Sequence, residues 1–268
     1  MSTEGLIAYC RPGFEPDLAA ELSHHAGLHG IPAYAKTERN SAYVLMLGAP
    51  REQLNEAIAY DQLIFARQKY ALIDALKELD VGDRITPVLE ALGGKGRYGE
   101  LSVEHPDSDE ARQLAGLAKA FGNALRPALR KRGLLSEKPN DKLPLLHVIF
   151  ISNKHLMLAS STSEDRSPWP MGIPRLRQDT RAPSRSAMKL DEALLCLLTP
   201  AERMNLLQPE MKAADLGAAP GGWSWVLAKH HLHVSAIDNG PMDADALATG
   251  LIEHIRADGF HWQPARPI

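Results

Sequence analysis

The ten residues Asp215-Leu216-Gly217-Ala218-Ala219-Pro220-Gly221-Gly222-Trp223-Ser224 constrain this chain more than any other stretch. They read as a buried strand ending in an acid, a glycine-rich bend and the start of a helix. Open α/β sheets present small-molecule sites in this way, at the carboxyl ends of their strands. A dinucleotide fingerprint needs G-x-G-x-x-G, so that backbone can approach a pyrophosphate. Here alanine replaces the second glycine and proline sits in the bend. That disfavours a nicotinamide cofactor. The bend still admits an amino-acid moiety, whose carboxylate can meet the N–H groups heading the next helix.

Two acids extend the pattern. Asp238 ends the next predicted strand, His233 to Ile237, where a carboxylate can accept from both hydroxyls of a ribose. Asp258, before Gly259-Phe260, falls where a third strand is expected to begin. It can accept from an adenine amino group or simply close a turn.

With 268 residues, 44% hydrophobic and 24% charged, the chain is long enough for one large or two ordinary globular domains. No apolar run reaches the ~18 residues of a membrane span, and the N-terminus lacks the basic start and apolar core of a secretory signal. Cys10 and Cys196 form neither a disulfide framework nor a metal spacing, so a reducing, cytoplasmic location is expected.

The N-terminal part reads as strand, helix, strand, strand, helix, strand. Its segments are Leu6–Cys10, Asp17–Ala26, Pro32–Lys36, Ala42–Leu47, Glu52–Tyr60 and Leu63–Ile73. That order is ferredoxin-like. A second α/β unit follows, with a helix ending at Gly93-Gly94, a strand over Glu100–Glu104, and a long helix from Ser108-Asp109 to Arg132 with Gly133 as its cap. Strands over Leu145–Ser152 and Leu156–Ser161 complete it. Pro127 counts against that long helix, because an interior proline costs about 3 kcal/mol. The C-terminal sheet opens with a helix capped by Ser184 or Ser186 and striped by Met188, Leu190, Leu194, Leu197 and Leu198. The expected domains are 1–80, 81–165, a proline- and arginine-rich linker over 166–184, and 185–268.

The net charge of −3 argues against indiscriminate coating of nucleic acid. Basic charge is nevertheless concentrated: Arg166, Arg175, Arg177, Arg181, Arg185 and Lys189 face one acid, Asp179, over residues 166–189. Such a window suits directed phosphate contact through Arg175, Arg177, Arg181 and Arg185; a solvated linker is the alternative.

The glycine-bend motif, followed by Ile237-Asp238-Asn239-Gly240-Pro241-Met242, resembles the S-adenosyl-L-methionine site of FtsJ-like RNA ribose methyltransferases. Three further groups narrow the likeness: Pro170-Met171-Gly172-Ile173-Pro174-Arg175-Leu176; Ala182-Pro183-Ser184-Arg185-Ser186 with Lys189-Leu190; and Tyr9-Cys10-Arg11-Pro12-Gly13-Phe14-Glu15 with Leu63-Ile64-Phe65-Ala66-Arg67-Gln68. Together they are similar to the bacterial enzymes that methylate a ribose 2′-hydroxyl of 23S rRNA, over nearly the whole chain.

The resemblance implies an N-terminal ferredoxin-like and THUMP region that holds RNA, and a Rossmann-like methyltransferase sheet. The implied target is a cytidine of the peptidyl-transferase loop. Its partners would be 23S rRNA, with neither DNA nor membrane, for a monomer. It assigns Ser186, Ala219, Pro220, Gly221 and Gly222 to the cofactor's amino-acid end, Asp238 to its ribose and Asp258 to its adenine. Lys189 matches the first lysine of the family's Lys-Asp-Lys-Glu set. The later acid, the proton-accepting lysine and the glutamate have no match before Ile268. The sheet is therefore expected to be incomplete and turnover by this chain as written to be negligible. A non-catalytic RNA-binding fragment is the alternative.

Overall fold

The structure, a computed structural model, describes residues 4–265. Internal contacts divide the chain into two compact units, Met1–Ile173 and Pro174–Ile268.

The first unit is built on one seven-stranded sheet. Its ferredoxin-like part runs β1 (Gly5–Tyr9), α1 (Glu15–Leu28), β2 (Tyr34–Thr37), β3 (Tyr43–Leu47), α2 (Arg51–Ala57) and β4 (Gln68–Leu76). The strands lie in the order β2-β3-β1-β4 with every pairing antiparallel. The second part continues with α3 (Ile85–Leu92), β5 (Glu100–Glu104), α4 (Asp109–Arg112), α5 (Ala115–Lys131), β6 (Leu145–Ser152) and β7 (His155–Ser161). Because β7 pairs with β4, the sheet runs unbroken through both parts as β4-β7-β6-β5. Leu6, Leu18, Val44 and Leu54 anchor one apolar cluster, and Leu125, Leu146, Phe150 and Leu158 another.

Three expectations are corrected here. The strand expected from Leu63 begins at Gln68. The Ile64 and Phe65 N–H groups donate instead to the Glu21 carboxylate, at 2.6 and 3.1 Å, and so are not available to a ladder. The helix expected to run unbroken from Ser108 is two helices. Ser108 caps the first by accepting from Ala111 N, and i→i−3 bonds from Gln113 and Leu114 close it. Pro127 is nevertheless inside α5. Pro127 and Asn123 are both exposed, so water can satisfy the carbonyl that loses its donor.

A polar network crosses the buried centre of this sheet. Glu104 accepts from Tyr9 Oη at 3.2 Å and from Ser102 Oγ at 3.1 Å. His147 bonds Ser161 Oγ through Nε2 at 2.8 Å and stacks on Tyr70 at 3.7 Å between centroids. Its Nδ1 has no hydrogen-bond partner and lies 3.4 Å from Glu104 Oε1, so that pairing is coulombic rather than directional. Burial pushes the Glu104 carboxyl up, but His147, Tyr70 and Ser102 together hold it below the ordinary glutamate value.

The proline-rich segment after β7 is clamped to this unit. Gln68 exchanges hydrogen bonds with Ser167 through both its amide atoms, at 3.2 and 2.8 Å. The buried Lys69 ammonium donates to the carbonyls of Asn55 and Ile58 at 3.1 and 2.5 Å and lies 3.9 Å from Asp165. Burial lowers its pKa to about 8 against the pull of Asp165 and Asp61.

The second unit comprises α6 (Ser186–Leu197), α7 (Pro200–Leu206), β8 (Lys212–Leu216), α8 (Gly222–Lys229), β9 (His233–Ile237), α9 (Ala244–Leu247) and β10 (Ile252–Ile255). Its strands form a parallel sheet in the order β10-β9-β8. Val226, Val234, Ala236 and Ile252 make its core, with Leu190 and Leu194 of α6 packed against it. Leu197, expected on that stripe, is 79% exposed because the helix ends there and the chain turns extended at Leu198. The third strand lies before Asp258 instead of beginning at it. Glu253, His254 and Arg256 break the apolar run that would have announced it. In β8 only Asp215 is buried and Leu216 is 57% exposed, so the strand expected to be buried is an edge among the described residues.

Candidate functional site

The three parallel strands end level with one another, Leu216 opposite Ile237 and Ile237 opposite Ile255. The loops leaving those ends enclose a cavity of about 320 Å³, walled by Leu216, Gly217, Ile237, Asp238, Asp258 and Phe260. That is the low end of the ~300–1,000 Å³ usual for small-molecule sites. A larger groove of about 480 Å³ runs along α6 and α7 past Leu194 and Met204, but it meets neither strand ends nor the glycine bend.

The bend is held from both sides by carboxylates. Asp215, buried at the end of β8, accepts from Ser224 N at 2.9 Å and from Ser224 Oγ at 2.7 Å. Ser224 N is one of the otherwise unpaired donors in the first turn of α8, so the acid fastens strand to helix across the bend. On the other side Asp238 accepts from Ala219 N through Oδ2 at 2.9 Å and from Gly240 N through Oδ1 at 2.7 Å. Those two backbone bonds, Gly240 first, hold its carboxyl below the usual aspartate value. Each oxygen keeps a second lone pair, so the ionised group can still accept from a diol.

Two glycines permit the approach of neighbouring elements. Gly221 sits at φ 110° as the cap of α8, and a Cβ there would meet Met242 Cε at 2.8 Å. At Gly222 a Cβ would strike the hydroxyls of Ser184 and Ser186. The heads of α6 and α8 therefore abut, with Ser186 Oγ 2.5 Å from Ser184 Oγ and beside the bend. Both are helix N-termini, and the N–H groups there suit a carboxylate. The Ala219–Pro220 peptide between them is cis.

The structure thus gathers Ser186, Ala219, Pro220, Gly221, Gly222 and Asp238 around one bend. Asp258 borders the cavity, yet its oxygens serve its own turn, accepting from Phe260 N and contacting His261 Nδ1, both at 2.9 Å. Lys189 stands exposed on α6 and forms no ion pair among the described residues. Arg175, Arg177 and Arg185 are exposed as well. Arg181, exposed too, grips Asp179 with its guanidinium at 3.1 and 3.0 Å. Those bonds hold the Asp179 carboxyl at about 2, so part of the linker's charge is already compensated. The reading from sequence left Asp215 without a partner and gave Ser184 only as a possible cap. It also passed over the apolar walls Leu216, Ile237 and Phe260. Their only signal was adjacency to the bend and to the two later acids.

Residues 3–70 match the family model described as the RlmM ferredoxin-like domain. Residues 83–162 match the N-terminal model of ribosomal RNA large subunit methyltransferase M, and 182–261 that of FtsJ-like methyltransferase. The ribosomal RNA large subunit methyltransferase M of Xanthomonas campestris pv. campestris (strain B100) is 60% identical over 264 residues, which is 98% of this chain and 76% of that protein. The protein of the same name from Xanthomonas oryzae pv. oryzae (strain KACC10331 / KXO85) is 59% identical over the same shares. Among solved structures, TrmN from Thermus thermophilus aligns at a TM-score of 0.37 and 19% identity, covering 95% of this chain and 73% of that one.

Proposed function

Because the chain belongs to the ribosomal RNA large subunit methyltransferase M family, we propose that it is an S-adenosyl-L-methionine-dependent methyltransferase of 23S rRNA. Its target is the ribose 2′-hydroxyl of a cytidine in the peptidyl-transferase loop, and it works as a cytoplasmic monomer on RNA rather than DNA. Among the described residues no helix is long and apolar enough to cross a membrane. The observation that carries the reading is the bend 217–222, pinned by Asp215 and Asp238 at the mouth of the strand-end cavity.

The residues present fit the cofactor. The helix heads at Ser186 and Gly222 take its carboxylate, Asp238 takes its ribose diol, and Leu216, Ile237 and Phe260 offer apolar faces to its adenine. When bound, S-adenosyl-L-methionine supplies an already electrophilic methyl group. The protein's part is then alignment and proton removal, because a ribose hydroxyl is a poor nucleophile near neutral pH. Lys189 steadies that hydroxyl or the adjoining phosphate as a cation. No residue among those described is assigned the proton. Arg175, Arg177 and Arg185 meet phosphates, with Arg181 joining once Asp179 releases it.

Two titrations test the reading: labelled S-adenosyl-L-methionine, and a 23S rRNA fragment, each added separately to the purified chain. Both are expected to bind. RNA binding without cofactor binding would instead support the non-catalytic module. Reversing charge at Arg175 and Arg177 to glutamate is expected to weaken RNA binding. It should also flatten the dependence of log K on log salt by roughly 1.4–1.8, one phosphate contact being worth about 0.7–0.9. An unchanged slope counts against phosphate-facing arginines.

A further inference from the structure

α8 carries two tryptophans with opposite fates. Trp225 is buried in the core of the second unit, with Lys229 Nζ 5.1 Å from its ring centroid. Trp223, two residues earlier, is 46% exposed. It follows Gly222 of the bend directly, so its backbone lies in the first turn of α8 while its ring is half exposed. That ring is not loose: Nε1 donates to Ser186 O at 3.1 Å, which fixes the indole against the head of α6. Arg185 and Lys189, both exposed, lie on either side of Ser186 in sequence. An aromatic plane, anchored by its one polar atom to a backbone carbonyl between two exposed cations of the sequence, sits next to the elements assigned to the methyl donor.

We propose that the open face of Trp223 is a stacking platform for a nucleobase of the RNA substrate, with Arg185 and Lys189 answering the phosphates on either side. The proposal rests on the methyltransferase reading and deepens it, because a single-stranded target must be held still while a ribose hydroxyl is aligned with the methyl donor. Single-stranded bases are commonly held on aromatic side chains, and any base offers the necessary π-face. Pre-anchoring through Nε1 lowers the ordering cost of binding, since the ring has few conformations left to lose. Burying Trp223 in the protein would serve packing alone; fixing it half exposed serves a ligand that arrives from solvent.

The experiment compares wild-type chain with Trp223→Phe and Trp223→Leu, titrated with an rRNA oligonucleotide that holds a cytidine in a single-stranded loop. Labelled S-adenosyl-L-methionine is titrated in parallel. Trp223→Leu removes the π-face and should weaken RNA binding about 5- to 100-fold. Trp223→Phe keeps a π-face and loses only the bond to Ser186, so its RNA affinity should stay within about threefold of wild type. Cofactor affinity should hold in both. The wild-type-minus-Phe emission difference should be quenched when RNA is added. Equal RNA losses in the two variants would overturn the platform and leave Trp223 as a brace for α6. Loss of cofactor affinity alongside RNA affinity would overturn it too, as would absence of quenching or of any effect. Failure of the methyltransferase reading shows separately, as wild-type chain that binds no S-adenosyl-L-methionine.

Discussion

Glu104→Leu is expected to lower the stability of the first unit by about 2–4 kcal/mol, because it removes the acceptor shared by several buried and half-buried polar groups. The leucine would strand the buried Tyr9 Oη, take an acceptor from the half-buried Ser102 Oγ, and remove the carboxylate beside the His147 ring. A buried polar group with no partner costs about 1–3 kcal/mol, so the loss comes from the groups left behind more than from the pair itself. Urea unfolding followed by near-ultraviolet signals of this tyrosine-rich centre measures it, and a change below about 1 kcal/mol would contradict the network. Glu104→Gln keeps the shape and one acceptor and should cost less.

The two variants also differ in pH dependence. The folded Glu104 carboxyl lies below its ordinary value, so its contribution is present above that value and is lost as pH falls through the lowered one. Wild type should therefore lose stability on acidification through the carboxylate range, and Glu104→Gln should lose less over the same window. Parallel wild-type and Gln curves would show that the fold does not depress this carboxyl, and a wild type that gains relative stability on acidification would show that it is held neutral.

Asp238→Ala should reduce affinity for S-adenosyl-L-methionine by about 100-fold while leaving RNA affinity unchanged, since two charge-assisted bonds and the loop they position are lost together. Asp238→Asn should be nearly as damaging. Its amide nitrogen would face the N–H of Ala219 or of Gly240, where the carboxylate accepts from both. Because the folded carboxyl is depressed, binding should hold through the ordinary carboxylate range and weaken only at lower pH. Equilibrium dialysis with labelled cofactor and a parallel RNA titration check both points. Equal loss of the two affinities would refute the ribose assignment.

The ferredoxin-like strand order and the glycine bend were legible in the sequence because both rest on local rules. Short apolar runs bounded by turn residues placed β1 and β3 to within a residue or two, and β9 was read at its full extent, His233–Ile237. Gly221 at positive φ needs no tertiary information to be read as a turn. β10 was illegible because a strand of four residues with two polar positions carries too little pattern. Leu63–Ala66 misled for the opposite reason, since its apolar pattern was sound while its backbone donors went to Glu21, more than forty residues away.

What the chain determined by itself is the kind of ligand site: a bend too poor in glycine for a pyrophosphate, an acid at the end of the following strand, and a run of arginines before them. Only the tertiary structure decided how the carboxylates are spent. Asp215 braces a helix, Asp258 closes its own turn, Asp179 holds Arg181, and Asp238 fastens the bend with lone pairs to spare. A carboxylate's role depends on which donors come within about 3 Å of it: Asp258 and Asp179 meet theirs two residues on, but Ser224 and Ala219 reach Asp215 and Asp238 only through packing, which no local pattern encodes.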